Sequence, residues 1–289
     1  MMKRISFIVN PISGVGRQKI IEKLIDRYLD KTLFDYELCY TTKPKHATKL
    51  AIQAANKGFD IVVAVGGDGS VNEVAKGLLN TNTAMAIIPS GSGNGLARHL
   101  KIPMNLKKAM NIINQANETF IDTIQFNEEI AVNIAGLGFD AHIGWEFAKF
   151  GKRGLVSYVK VIIRELFNYK AHSFQLIIDG KTVDKIAYFI SIANGSQWGN
   201  NATIAPLADI KDGILDVVIV KKFSFIKSFE IAYKLFKKTI NTCNVVEIIK
   251  TKEMIIKQSS NIAHVDGEPI KVGNTISIKI NPLSLKVIY

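Results

Sequence analysis

Three short β-branched runs near the start of the chain each end in a glycine-rich break followed by a helical pattern, and this alternation constrains the fold more than any other feature. Arg4-Ile5-Ser6-Phe7-Ile8-Val9 reads as a strand that stops at Asn10-Pro11-Ile12-Ser13-Gly14; Ile20, Leu24 and Leu29 then fall at helical spacing. Residues 36–40 read as a second strand and residues 47–56 as a second helix. Residues 60–65 form a nearly continuous apolar run, the pattern of a strand buried on both faces, broken by Gly66-Gly67-Asp68-Gly69 before a helix over 70–79. Residues 84–88 repeat the scheme, with Pro89 and Ser90-Gly91-Ser92-Gly93-Asn94-Gly95 before a helix over 96–100. Strand, turn and helix in succession predict a parallel sheet wound with helices, its functional turns at the carboxyl ends of the strands.

Beyond about residue 121 strands follow one another with turn signals between them. Residues 174–178 and 185–193 flank Asp179-Gly180, a dipeptide suited to the positive φ angles of a tight hairpin. Further β-rich stretches fall at 214–220, 245–250, 254–257 and 275–280, interrupted by helical patterns at 154–167 and 225–238. The expected organisation is an α/β domain over 1–122 and a β-rich domain, a β-sandwich, over 123–289, with 283–289 free to return to the first.

Composition excludes several classes. With 47% hydrophobic and 21% charged residues the chain is globular rather than disordered. Cys39 and Cys243 are too few and too far apart for a disulfide framework or a CxxC metal site, which suits a reducing cytoplasm. Residues 186–208 carry no charge, but their centre, Asn194-Gly195-Ser196-Gln197-Trp198-Gly199-Asn200-Asn201, is too polar to cross lipid. The apolar run after Lys3 and Arg4 is too short for a signal peptide. A formal charge of +12 favours polyanionic partners: nucleic acid, anionic lipid or nucleotide phosphates. No nucleic-acid-binding motif accompanies it, so nucleic acid is not an expected partner.

Glycines after a buried strand let the backbone approach a ligand and turn amide N–H groups toward an anion. Asp68 within such a loop needs a cation or a proton to justify its charge, unless it or Ser70 merely caps the helix. The second glycine turn favours a nucleotide cleft. Neither turn is a P-loop, because GxxxxGK[ST] is absent, and 91–95 lacks the GxGxxG spacing. Asn10 to Gly14 supplies a third phosphate-sized loop, and Thr41 and Thr42 end the second strand near it.

Asn-Pro-x-Ser-Gly at the start, Gly66-Gly67-Asp68-Gly69-Ser70-Val71-Asn72-Glu73, Gly91-Ser92-Gly93-Asn94 before Leu96-Ala97-Arg98, and Asp266-Gly267-Glu268-Pro269 together resemble the catalytic-domain family of diacylglycerol and sphingosine kinases, across essentially the whole chain. The resemblance implies an N-terminal fold like that of phosphofructokinase and NAD kinases, followed by the β-rich domain. It also implies an enzyme of lipid metabolism and phospholipid biosynthesis, transferring the γ-phosphoryl group of ATP to diacylglycerol or a sphingoid-type lipid. Asn10, Pro11, Ile12, Ser13, Gly14, Thr41, Gly66, Gly67, Asp68, Gly69, Ser70, Val71, Asn72, Ser92, Gly93 and Asn94 would contact ATP. Mg²⁺ would sit beside Asp68, and Glu268 would be the base that takes the lipid hydroxyl's proton, with Asp68 as its rival. Read alone, Asp-Gly-Glu-Pro is equally good hairpin chemistry.

Residues 206–216 resemble the family's Pro-x-Ala-x-x-x-Asp-Gly-x-Leu-Asp segment, where Asp209, Asp212 and the carbonyl of Ile214 would hold a structural Mg²⁺. An acidic turn before a strand is the plainer reading. Many bacterial diacylglycerol kinases of the family carry Asp where this chain has Gly95, and sphingosine and ceramide kinases look more like this sequence. The acceptor stays open on that ground. The five histidines show no metal-ligand spacing and read as solvated or packed; His99, beside Arg98 at a phosphate loop, is the one to test.

Lys152-Arg153 and the lysines of residues 221–238, interleaved with Phe223, Phe225, Phe229, Tyr233 and Phe236, suit peripheral contact with an anionic membrane. A helix packed on the core with a lysine-rich outer face gives the same pattern and is the plainer reading. A homodimer is left open. The rival functions are an NAD kinase, which shares the GGDG turn, and a non-catalytic nucleotide- or lipid-binding regulator.

Overall fold

The structure, a computed structural model, describes residues 2–13, 20–149 and 155–289. Gly14 of the first loop, and Lys152 and Arg153 of the basic surface, lie outside the described residues. The chain divides into two compact units, Met1–Asp122 with Pro282–Tyr289, and Thr123–Asn281.

In the first unit strands and helices alternate: β1 (Lys3–Val9), α1 (Ile21–Tyr28), β2 (Phe34–Tyr40), α2 (His46–Asn56), β3 (Ile61–Gly66), α3 (Asp68–Leu78), β4 (Ala84–Pro89), α4 (Gly95–His99) and α5 (Leu106–Gln115). β5 (Glu118–Phe126) follows. The sheet runs β4-β3-β1-β2, with every neighbour parallel. β3 and β4 are buried along their whole length, as a parallel sheet covered on both faces requires. Ile61, Val63 and Val65 pack with Ile21 and Ile25 of α1 and Met110 and Ile113 of α5. Val62 and Ala64, pointing the other way, lie on the side where α2 and α3 pack against each other. β1 and β3 are therefore neighbours whose following helices leave on opposite faces. Such a reversal opens a crevice at the carboxyl edge of an α/β sheet, where ligands bind.

The second unit contains β6 (Glu129–Ala131), β7 (Ile134–Gly138), α6 (Phe139–Lys149), α7 (Leu155–Leu166), β8 (His172–Ile178), β9 (Lys181–Ala193), β10 (Gln197–Gly199), β11 (Ala202–Thr203), β12 (Leu215–Lys221), α8 (Phe225–Lys237), β13 (Val246–Thr251), β14 (Glu253–Gln258), β15 (Ile262–Val265), β16 (Glu268–Lys271) and β17 (Thr275–Ile288). β9 is long enough to pair with β8 through its first half, and with β7 and β12 through its second, all antiparallel. The β8–β9 turn is Asp179-Gly180, both at positive φ, as the Asp-Gly signal predicts. Alternate residues of β5, β7, β8, β9, β12, β14 and β17 point into one core, among them Phe126, Leu137, Phe174, Ile190, Val217, Ile256 and Ile278. The opposite face of β7, β9 and β12 packs against α6 and α8 through Phe139, Ile143 and Ile231. The end of β17 belongs to the first unit, where Val287 pairs in parallel with Met85 of β4.

α6 has no counterpart among the helices expected from sequence. Its apolar residues Phe139, Ala141, Ile143, Trp145 and Phe147 alternate at i, i+2, a period that carries no helical signal. The helix forms because it packs on β7, β9, β15 and β16 at once.

Candidate active site

The three loops at the carboxyl edge of the first unit interlock. Asn10 continues β1 by donating its N–H to Val65 O of β3 (3.2 Å), and its side-chain Oδ1 accepts the Ile12 N–H (3.1 Å). Ser13 closes the turn, its Oγ donating to Asn10 O (2.9 Å). This first loop reaches the second through Asn10 Nδ2, which donates to Ser70 Oγ (3.2 Å). It reaches the third through Ser13 Oγ, 3.3 Å from Ser90 Oγ. Thr41 arrives at the same edge, its N–H on Val9 O (2.9 Å).

The two glycine turns lie directly against one another. Gly66 O accepts the N–H groups of Ser90 (2.9 Å) and Gly91 (3.2 Å). A Cβ at Gly91 would stand 2.5 Å from Gly67 Cα, and one at Gly67 would stand 3.2 Å from Gly91 Cα. Glycine at 91 is what lets the backbones meet, while a methyl at 67 would be tight against the same turn. Asn94 takes the left-handed conformation (φ 53°) and ties its own loop, accepting the Gly91 N–H and donating to Gly91 O (2.7 Å).

Asp68 explains its charge in a way the sequence does not anticipate. Its Oδ2 accepts the Asn94 N–H (2.8 Å) and its Oδ1 the Gly95 N–H (2.7 Å). The carboxylate thus caps α4, a helix with no cap of its own, rather than the helix it begins. Glu73, the other acid of the motif, does the same for α2. Its oxygens accept the N–H groups of Lys45 (2.8 Å) and Ala47 (3.0 Å), and Lys45 has no side-chain cap to offer. The two acids of GGDGSVNE therefore fasten α3 to α4 and to α2. Of the other residues expected at ATP, Ser70, Val71 and Asn72 are buried, whereas Pro11 and Ile12 are exposed and Ser92 and Gly93 lie at least partly at the surface.

In the second unit Glu268 opens β16 and is exposed, paired with Val265 of β15 across the two-residue turn Asp266-Gly267. Both turn residues have positive φ (49° and 82°), so the hairpin chemistry of Asp-Gly is real here. Asp266 does more than turn the chain. It is buried, and its carboxylate accepts three backbone N–H groups, from Val132 (2.8 Å), Asn133 (2.9 Å) and Ile134 (3.0 Å). That fixes the hairpin carrying Glu268 to the start of β7.

Beneath the hairpin His264, Gly136 and Ser191 stand in one cross-strand row over β15, β7 and β9. Because Gly136 has no side chain, Asp140 of α6 fills the space above it; a Cβ there would collide with both His264 Nε2 and Asp140 Oδ2. Asp140 Oδ2 accepts from Ser191 Oγ (2.9 Å) and lies 2.9 Å from His264 Nε2, an ion-pair contact outside good hydrogen-bond alignment. Gly267 N–H points at His264 Nδ1 (3.3 Å). Burial disfavours the charged imidazole, but the Asp140 carboxylate, helped by Asp266, outweighs it and holds the His264 pKa above its ordinary value. The expectation that the histidines are solvated or packed covers the burial of His264 and misses its acid.

Asp209 and Asp212 occupy the turn before β12. Each commits one oxygen to its own turn: Asp209 Oδ1 accepts the Lys211 N–H (3.0 Å) and Asp212 Oδ1 the Ile214 N–H (2.9 Å). Lys250 Nζ lies 3.8 Å from Asp212 Oδ2 and 3.0 Å from Oδ2 of the buried Asp216, whose Oδ1 has no hydrogen-bond partner. Burial pushes the Asp216 carboxyl up, and Lys250 offsets only part of that. Among the described residues no group of three or more His, Cys, Asp or Glu side chains is arranged to hold a metal ion. The donors suited to a hard cation here are the remaining carboxylate oxygens of Asp209 and Asp212 with the Ile214 carbonyl.

A parallel α/β unit with three interlocked strand-end loops, in a chain that also carries a β-rich unit, defines a phosphate-handling enzyme. Residues 4–126 match the family described as "Diacylglycerol kinase catalytic domain", and residues 133–289 match the "YegS C-terminal NAD kinase beta sandwich-like domain". A diacylglycerol kinase of Bacillus subtilis is 30% identical over 240 residues, 80% of this chain and 78% of that protein. A probable lipid kinase YegS-like of Chromohalobacter salexigens is 27% identical over 228 residues, 76% of this chain and 73% of its own. Among solved structures, a diacylglycerol kinase of Bacillus anthracis superposes with a TM-score of 0.80 at 25% identity, covering 99% of this chain and 97% of that one. The chain belongs to the diacylglycerol kinase family and is a kinase.

Proposed function

We propose that the protein transfers the γ-phosphoryl group of ATP to the hydroxyl of a diacylglycerol or sphingoid-type long-chain lipid. The observation that carries this reading is the interlocking of three backbone loops at the crevice of the first unit, with Asp68 clamping two of them together. The loop amides that these contacts leave over, those of Ser92 and Gly93 among them, receive the phosphates, and the glycines admit the close approach that phosphates need. Mg²⁺ bound with ATP would sit beside Asp68 and would supply neutralisation of the phosphate charge. Glu268 takes the proton of the acceptor hydroxyl as its oxygen bonds the γ-phosphorus, the bond to the β-phosphate oxygen breaks and ADP leaves. Exposure of Glu268 on a rigidly anchored turn suits that role, while the engagement of both Asp68 oxygens by backbone amides makes Asp68 the strut of the loops. A second, structural Mg²⁺ at Asp209, Asp212 and the Ile214 carbonyl would raise the thermal midpoint on addition of Mg²⁺, and Asp212→Asn would remove that rise.

The test offers purified protein ATP and Mg²⁺ with mixed micelles of diacylglycerol, sphingosine or ceramide, and with NAD in parallel. A phosphorylated lipid is expected, and Glu268→Gln should lower kcat by about 10²–10⁴ without moving thermal unfolding. Phosphorylated NAD with no lipid product, ATP binding without turnover, or wild-type kcat in Glu268→Gln would overturn the reading.

A further inference from the structure

We infer that the outer face of α8, together with the exposed stripe of α7, docks the protein on an anionic lipid bilayer. The inference deepens the lipid-kinase reading and rests on it for its purpose, since a lipid acceptor resides in a membrane.

α8 has apolar residues on two sides. Ile231 is buried, and Leu235 and the preceding Phe223 pack toward the same core. The other side carries Phe225, Ile226, Phe229, Tyr233 and Phe236, all exposed: Ile226 to 81%, Phe229 to 65% and Tyr233 to 63%. The plainer sequence reading, a core-packed helix with a lysine-rich solvent face, describes Ile231 and the exposed lysines but not this apolar side. α7 adds Val159 and Ile163, exposed one turn apart, and Phe167 follows at the same spacing, 65% exposed. Phe167 stacks on Phe225 (ring centroids 4.8 Å apart), and Phe225 meets Phe229 edge to face (5.3 Å), so the two helices present one continuous apolar surface. An exposed surface of this kind marks a binding face.

Charge selects the occupant. Residues 221–238 hold six lysines and one glutamate, and that glutamate, Glu230, is already bound by Lys227 (2.6 Å) and Lys234 (3.1 Å). Lys222, Lys237 and Lys238 are exposed at the two ends of the aromatic stripe, with Lys237 Nζ 5.9 Å from the Tyr233 ring centre. Aromatic and aliphatic side chains flanked by lysine are what an interfacial helix uses: rings enter the acyl boundary, and ammonium groups meet anionic headgroups. A second copy of the chain fits poorly, because a two-fold interface would set this lysine-rich patch against itself. Among the described residues no helix is long and apolar enough to cross a membrane, so the contact is peripheral.

The experiment floats the full-length protein, without ATP, on phosphatidylcholine vesicles with and without phosphatidylglycerol. Binding is expected only with phosphatidylglycerol and should weaken with salt. The double substitution Ile226→Asp with Phe229→Asp should weaken it by about tenfold or more. Lys222→Glu with Lys238→Glu should erase the preference for anionic vesicles. All four side chains are exposed, so folding should survive, and circular dichroism checks that. Equal binding by the wild type and the aspartate variant overturns the inference. So does a wild-type dimer in sedimentation that becomes monomeric in that variant, which would make a second copy the occupant. Turnover of a short-chain, water-dispersed diacylglycerol is measured alongside. Its absence in a protein that still floats counts against the kinase reading alone; normal turnover with no flotation counts against the docking face alone.

Discussion

Replacing Asp68 with Asn separates its two roles, strut and chemical group, because the substitution keeps size and shape while removing the charge and one acceptor. In the native protein both oxygens are used, one by the Asn94 N–H at 2.8 Å and one by the Gly95 N–H at 2.7 Å. A carboxamide satisfies one of these amides through its oxygen and turns an NH₂ donor on the other. The lost charge-assisted hydrogen bond is worth about 1.5–3 kcal/mol, and leaving a buried donor unpaired adds to it, so the first unit should lose about 2–4 kcal/mol. For domains of this general size each kcal/mol moves the thermal midpoint by a few degrees, giving a fall on the order of 5–15 °C. Scanning calorimetry reads this directly, and Asp68→Ala, which loses both bonds, should fall further. Glu268→Gln is the control: it removes an exposed carboxylate that opens β16 and should leave the midpoint in place. An Asp68→Asn protein that unfolds like the wild type while losing turnover would refute the strut and return Asp68 to the chemistry.

Gly91→Ala should weaken ATP binding in titration calorimetry and destabilise by about 1–3 kcal/mol, because the new methyl meets Gly67 Cα at 2.5 Å and no flexible side chain can yield; wild-type affinity would mean the loops separate easily. His264→Gln probes the buried pair with Asp140. The folded pKa is raised, so the stability it contributes is complete below the unfolded value of about 6.5 and is lost as pH rises through the folded value. Urea unfolding should therefore show a larger gap between wild type and variant near about pH 6 than near about pH 9, and a gap that widens with pH would contradict the assignment. Lys250→Met should cost about 1–3 kcal/mol by stranding the buried Asp216 carboxylate, whereas Asp216→Asn should cost less at neutral pH, since burial already disfavours its charge; the reverse order in urea unfolding would show that Lys250 is not its compensating partner.

What was legible in the sequence and what was not divide along a physical line. β3 is readable because a strand covered on both faces must be apolar at every position, and Gly66 to Gly69 is readable because a chain that breaks there has only a few residues able to make the turn. The partners of Asp68 and Glu73 are not. Each binds main-chain N–H groups, and every non-proline residue carries one, so nothing in Asn94, Gly95, Lys45 or Ala47 advertises an acid three-dimensionally beside it. Gly136 fails for a related reason: its significance is the space it leaves for Asp140, an absence shared by every glycine in the chain. α6 alternates like a strand, and although it packs on the adjacent strands β16, β15, β7 and β9 and against α7, its apolar residues recur at i, i+2 and so are not confined to the single stripe that marks a helix. α8 is the reverse case, with a period so clear that it suits either face; the sequence places Phe229 and Ile231 two residues apart, and only packing decides that Ile231 goes inward. Periodicity reports that two sides differ and not which of them meets the core, so an aromatic stripe flanked by lysine earns a functional reading only after the strands have taken the other side.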